Sequence, residues 1–170
     1  MATSRITQSL SLQAGACTAL GSPFSGAILE AAARDVEAGG PALALTSPWA
    51  ELGVREQMEA AMPLRLLGAL HDLALSGDAP ELSAAYPSPG RTSDPQAAWA
   101  AALSAMASFT DRMARFMDHE PQTNEVRRSI CLAPGFLTIA QRTGLPIRAF
   151  EVAASAGLNL NWDRYAYRFG

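Results

Sequence analysis

The sequence predicts a mainly α-helical protein, with a bundle-like helical domain over residues 1–144 and the first strand and turn of an α/β domain over residues 145–170. Three observations carry this expectation. Apolar residues recur every three or four positions along most of the chain, the spacing of one face of a helix. Ser22-Pro23, Ser47-Pro48, Met62-Pro63 and Asp94-Pro95 open the periodic segments, and proline at the first helical position has no amide hydrogen to leave unpaired. After Gly144 the texture changes to a short apolar run and then a turn of small residues.

In chain order, Ile6, Leu10, Ala14 and Cys17 line one face of a first helix, which Gly21 stops. Ser22-Pro23 starts a second helix whose stripe is Phe24, Ile28, Leu29, Ala32 and Val36, and Gly39-Gly40-Pro41 ends it. Leu43 to Leu45 extends briefly, and Ser47-Pro48 begins a helical piece reaching about Met58 or Ala61. Met62-Pro63 opens a helix carrying Leu66, Leu67, Leu70 and Leu73, closed by Ser76-Gly77-Asp78. His71 falls inside this leucine pattern and reads as a structural histidine rather than a base or ligand. The loop Tyr86-Pro87-Ser88-Pro89-Gly90, within residues 86–93, divides the helices into two groups.

Asp94 caps a longer helix expected to run to His119, striped by Trp99, Leu103, Met106, Met113 and Met117 and widened by Phe109 and Phe116. The stripe reads as a packed face rather than a ligand groove. His119-Glu120-Pro121 breaks it. In Gln122 to Arg128, Thr123 is a cap and Glu125 suits the positive end of a helix dipole. Pro134-Gly135 then predicts a kink or break in a stretch that otherwise reaches Gly144.

With 170 residues, 49% of them hydrophobic, the chain has the material for one ordinary core and a remnant of a second domain. A net charge of -3, with the 13 basic residues scattered, excludes general attraction to nucleic acid. Cys17 and Cys131 lie far apart with no Cys/His spacing around them, so no metal site is expected and both read as small buried hydrophobes of a reduced cytoplasm. The N-terminal stretch, broken by Gln8, Ser9, Ser11 and Gln13, is too polar for a signal-peptide core. The longest weakly apolar stretch, Ala97 to Phe109, is shorter than the roughly 20 residues of a membrane span. A cytoplasmic protein that does not engage the membrane is the expectation.

The chemistry gathers after Gly144. Leu145 to Val152 reads as a buried parallel strand, and Ala153 to Gly157 as a turn of minimal side chains leading into a helix. Strand, acid, small-residue turn and helix start is the order of a Rossmann-like nucleotide site, because small side chains let backbone amides and a helix N-terminus approach the ligand. Glu151 is placed to orient the turn or to meet a cationic or hydroxyl-bearing cofactor. Glu151, Ala153, Ser155 and Gly157 form a pattern that resembles the first motif of S-adenosylmethionine-dependent methyltransferases, Asp/Glu-x-Gly-x-Gly-x-Gly. Gly157 matches its third glycine, while Ala153 and Ser155 replace the other two.

A wider resemblance runs from about Met62 onward. Gln122-Thr123-Asn124-Glu125-Val126, Glu151 with Ala156-Gly157-Leu158-Asn159-Leu160, and Trp162-Asp163-Arg164-Tyr165 with Tyr167 resemble the uncharacterised bacterial family called domain of unknown function 2332. The His71 helix, Pro80-Glu81-Leu82 and Tyr86-Pro87-Ser88 are similar to it as well. The resemblance implies a position 153 that is usually glycine, from which Ala153 departs. The resemblance implies a helical region leading into a methyltransferase-like Rossmann fold that continues past Gly170, so the chain is expected to be its truncated N-terminal portion.

The expected function is that of a fragment, inactive by itself, of an S-adenosylmethionine-dependent methyltransferase-like protein acting on an unknown small molecule or protein. Glu151, Ala153, Ser155 and Gly157 would begin the cofactor site, with Gln122, Asn124, Glu125 and Asn159 as candidate pocket residues and Asn161, Asp163 and Arg164 as extensions of it. S-adenosylmethionine would bind the full-length protein and not the fragment. The alternative is a non-catalytic helical module for protein interaction or homodimerisation. If the chain is complete, the Phe150 strand pairs with one near Tyr165 to Phe169, or dimerises through an exposed edge.

Overall fold

The computed structural model describes residues 2–88, 92–121, 125–154 and 156–168, with side chains from residue 5 onward. The chain divides into two compact units, Met1–Pro121 and Gln122–Gly170. The division follows the His119-Glu120-Pro121 break.

In the first unit, α1 (Ala2–Ala19) and α2 (Pro23–Glu37) form a helical hairpin about Gly21, whose φ of 89° is left-handed. Ile6, Leu10 and Ala14 are buried on α1, as are Ile28, Leu29, Ala32 and Val36 on α2. The helices approach so closely that a Cβ on Gly26 would lie 2.2 Å from Thr18 Oγ1 and 2.9 Å from the Ala14 carbonyl oxygen. Ser22 does not cap α2 with its side chain. Its hydroxyl donates to Ser25 Oγ at 2.8 Å, and Pro23 fixes the start instead.

The expected continuous piece after Ser47 is divided. α3 (Pro41–Thr46) passes into a 3-10 turn at Ser47–Trp49, and α4 (Val54–Glu59) follows Gly53. Gln57 explains the arrangement: buried, it accepts from Ser9 Oγ at 2.6 Å and donates to the carbonyls of Trp49 and Leu52 at 2.9 and 3.2 Å. Backbone groups that a longer helix would pair internally are satisfied by that amide.

α5 (Met62–Ser76) carries the centre of the core: Met62, Leu66, Leu70 and Leu73 are fully buried, each worth about 1.5–3 kcal/mol by removal from water. Gly77, at φ 79°, ends it. His71 is exposed, off the buried leucine face of α5. Cys131 is exposed as well, and Cys17 is half-buried. α6 (Pro80–Ala85) then returns the chain to the loop at Tyr86.

The helix expected from Asp94 to His119 is two: α7 (Pro95–Ser108) and α8 (Thr110–Met117), separated at Phe109 with φ -124°. Asp94 caps as expected, accepting from the amides of Gln96 and Ala97 at 2.9 and 3.3 Å. Ser108, Phe109 and Thr110 are all poorer helix formers than the alanines before them, and the Thr110 hydroxyl donates back to the Met106 carbonyl at 2.6 Å. Met106, Met113 and Met117 are buried, so the methionine stripe is a packed face.

In the second unit, a 3-10 turn at Val126–Arg128 leads into α9 (Ser129–Thr143), which ends at left-handed Gly144 and is followed by a 3-10 helix at Leu158–Arg164. α9 runs through Pro134 without the expected break. Pro134 lies in the second turn of α9, close to its N-terminus, so the loss of one amide donor interrupts little of the ladder.

Residues 145–152 do not form the expected strand. Among the described residues no strand or sheet is present, and the segment expected to be a buried strand is irregular extended chain, with Phe150 83% and Val152 94% exposed. Backbone amides of a strand need a neighbouring strand to pair with, and no described segment, including 165–168, offers one. The described residues form an all-helical fold, with no Rossmann-like strand among them.

Candidate functional site

Gly144 stops α9 with its amide donating to the Ala140 carbonyl at 2.9 Å, and the chain then runs extended to Glu151. Glu151 and Asn159 are brought together across the turn between them: Asn159 Nδ2 donates to Glu151 Oε1 at 3.1 Å, and Asn159 is buried. The second carboxylate oxygen of Glu151 is buried and meets no hydrogen-bond donor among the described residues. A buried acceptor left open in this way is costly unless something else fills it.

The backbone between the two residues is unusual. Ala153 takes φ 55°, and Gly157 takes φ 67°, both left-handed. The Gly157 amide closes the turn by donating to the Ala154 carbonyl at 2.7 Å, and the Leu160 amide returns to the Gly157 carbonyl at 3.1 Å. A Cβ on Gly157 would meet nothing within 4 Å, so glycine is needed there for its backbone angle and not for room. Ala153 holds a conformation that costs an alanine about 1–2 kcal/mol.

Aromatic side chains brace the turn from behind. Phe136 on α9 meets Trp162 at 4.7 Å between ring centroids. The Tyr165 hydroxyl donates to the Leu158 carbonyl at 2.5 Å and the Tyr167 hydroxyl to that of Trp162 at 2.6 Å. The resemblance includes Trp162, Tyr165 and Tyr167, and the strand expected near Tyr165 is instead chain whose tyrosines hold the 3-10 helix; a Trp and two Tyr following a turn are the signal for that bracing.

Of the other candidates, Glu125 caps the 3-10 turn at Val126–Arg128, its carboxylate accepting from the Arg127 amide at 2.9 Å and from Arg127 Nε at 3.2 Å. These bonds, the backbone one foremost, hold its pKa below the usual glutamate value. Gln122, Asn124 and Ser155 lie outside the described residues. No three His, Cys, Asp or Glu side chains converge on a metal position among the described residues. No described helix is long and apolar enough to cross a membrane.

The model of a family described as uncharacterised proteins conserved in bacteria, domain of unknown function 2332, matches residues 7–170. The chain belongs to this family. Membership spans both units, from α1 through the turn at Glu151 and the 3-10 helix that follows. No curated protein and no solved structure matches the chain.

Proposed function

We propose that the turn from Glu151 to Asn159 is the start of a binding site for S-adenosylmethionine, in a methyltransferase-like cytoplasmic protein whose methyl acceptor is a small molecule or protein not identified by this turn. The observation that carries the reading is the open Glu151 oxygen: one carboxylate oxygen is held by Asn159 and the other is buried without a donor. A carboxylate so held is preorganised to accept from a hydroxyl or an ammonium, and the cofactor carries both. The left-handed positions 153 and 157 support the same reading, since they are where the cofactor motif has glycine. Calorimetric titration of S-adenosylmethionine and of ATP into the protein in its full natural length tests this reading. Saturable heat with S-adenosylmethionine and none with ATP is expected, and silence with S-adenosylmethionine removes the basis of the proposal.

A second reading, a helical interaction or homodimerisation module, is favoured by α9. Leu132, Leu137 and Ile139 are 44%, 61% and 51% exposed; Leu132 and Ile139, seven residues apart, share one side of the helix, and Leu137 lies on another. A helix apolar on several sides is ordinarily covered. Sedimentation equilibrium should then find a dimer that Leu137→Glu dissociates; a monomer at all concentrations counts against homodimerisation.

A further inference from the structure

A groove in the first unit brings together two opposite charges and an aromatic ring that neither the core nor the Glu151 turn uses. It lies between α2 and the start of α7, with a volume of about 430 Å³, within the range of ligand pockets. Ala27, Glu30, Ala31 and Arg34 line it from α2 and Trp99 from α7. The α2 residues stand three or four positions apart and so share one face of that helix. Ala27 and Ala31 present only methyl groups there, which leaves the space between the helices open.

Glu30 and Arg34 are one turn apart with the acid nearer the N-terminus, the favourable order for an ion pair along a helix. No ion pair joins them among the described residues, where the arginines so engaged are Arg55, Arg65, Arg112 and Arg127. Arg34 is exposed, and its guanidinium makes no hydrogen bond among the described residues. Glu30 is half-buried and engages one carboxylate oxygen, accepting from Ser11 Oγ at the long distance of 3.5 Å. Trp99 is half-buried, packed in part against the core, and neither a ring nor a cation stacks on it among the described residues. An acid and a base one turn apart, across a groove from an indole, match a molecule that carries an ammonium, a carboxylate and an apolar group on one carbon.

We propose that this groove binds a free α-amino acid with an aromatic or large apolar side chain. Arg34 takes the carboxylate, Glu30 the ammonium, and the Trp99 ring the side chain. The site lies wholly in the first unit, independent of the Glu151 turn, and its test does not involve S-adenosylmethionine.

The tryptophans of the chain are Trp49, Trp99 and Trp162, so the indole N–H signal of Trp99 can be followed by NMR with the other two as internal controls. L-Phenylalanine is the probe. Its comparators are phenylpropionate, which lacks the ammonium, and phenethylamine, which lacks the carboxylate. L-Phenylalanine should move the Trp99 signal saturably at millimolar concentration and leave those of Trp49 and Trp162 in place. Each comparator should bind about three- to tenfold more weakly, the worth of one charged hydrogen bond at a partly exposed site. Arg34→Gln and Glu30→Gln should each weaken L-phenylalanine by a similar factor. An unmoved Trp99 signal, or comparators as tight as the amino acid, overturn the site, and unchanged affinity in Arg34→Gln or Glu30→Gln overturns the role given to that charge.

Discussion

Arg65 Nη1 donates to the carbonyl oxygen of Met117 at 2.8 Å, tying the first turn of α5 to the last turn of α8 from a side chain that is almost fully buried. Its Nε donates to the Ala60 carbonyl at 2.7 Å, and its guanidinium lies 5.8 Å from the centroid of the Trp49 ring. One arginine thus satisfies the end of α8 and the entry to α5. Arg65→Ala leaves those carbonyls without donors and opens a cavity, and should cost about 2–4 kcal/mol in urea unfolding. A loss under 1 kcal/mol would show that water replaces it.

The α1–α2 crossing makes a second prediction. Gly26→Ala places a methyl against Thr18 and the Ala14 carbonyl, so the hairpin must open, at about 1–3 kcal/mol. Thr18→Ala in the same background should recover part of this, because the nearer obstacle is the threonine hydroxyl. A wild-type melting temperature for Gly26→Ala counts against so close an approach.

Acid sensitivity is expected at the α5–α8 surface. Arg112 donates to Asp72 Oδ2 at 2.6 Å and to Asp78 Oδ2 at 2.5 Å. The Arg112 hydrogen bond first, and that of Ser76 second, hold the Asp78 carboxyl below its ordinary value of 3.8. The folded form therefore binds this proton less readily than the unfolded chain. The contribution is complete above about pH 4 and is lost as pH falls through the lowered folded-state value. Asp78→Asn should flatten the acid limb of the stability profile and leave the effect of further acidification below that value unchanged. An equal gap between variant and wild type at every pH would refute the assignment.

At the candidate site, Ala153→Gly should relieve the left-handed strain and stabilise the second unit by about 0.5–1 kcal/mol, the greater freedom of glycine in the unfolded chain offsetting part of the gain. Trp162 fluorescence in a Trp49→Phe, Trp99→Phe background reports that unit, through its contact with Phe136. A destabilised Ala153→Gly would mean that position 153 is not left-handed.

What was legible in the sequence had local causes. Ser22-Pro23, Met62-Pro63 and Asp94-Pro95 mark true helix starts because proline fixes φ without reference to the rest of the fold, and Gly77 and Gly144 mark true ends because their angles are left-handed. Features set by distant partners were not legible. Gln57 divides the chain after Thr46 through bonds to Ser9, Trp49 and Leu52, a pattern invisible to apolar periodicity. The break at Phe109 falls inside an unbroken apolar stripe. Leu145 to Val152 has a strand's composition, but a strand exists only through its neighbours, and none is described. Of the candidate site, the spacing of Glu151, Ala153 and Gly157 was visible, whereas the Asn159 bond that holds Glu151 and the open oxygen beside it are properties of the folded turn.

The open Glu151 oxygen is the centre of the functional account, and Glu151→Gln isolates it by keeping an acceptor for Asn159 while turning the free oxygen into a donor amide. S-adenosylmethionine titrated calorimetrically into the full-length wild type and Glu151→Gln side by side is the decisive measurement. Loss of a hydrogen bond to a charged acceptor predicts affinity about 10- to 100-fold weaker in Glu151→Gln. Equal affinity in the two proteins, or no binding to the wild type, would contradict the account.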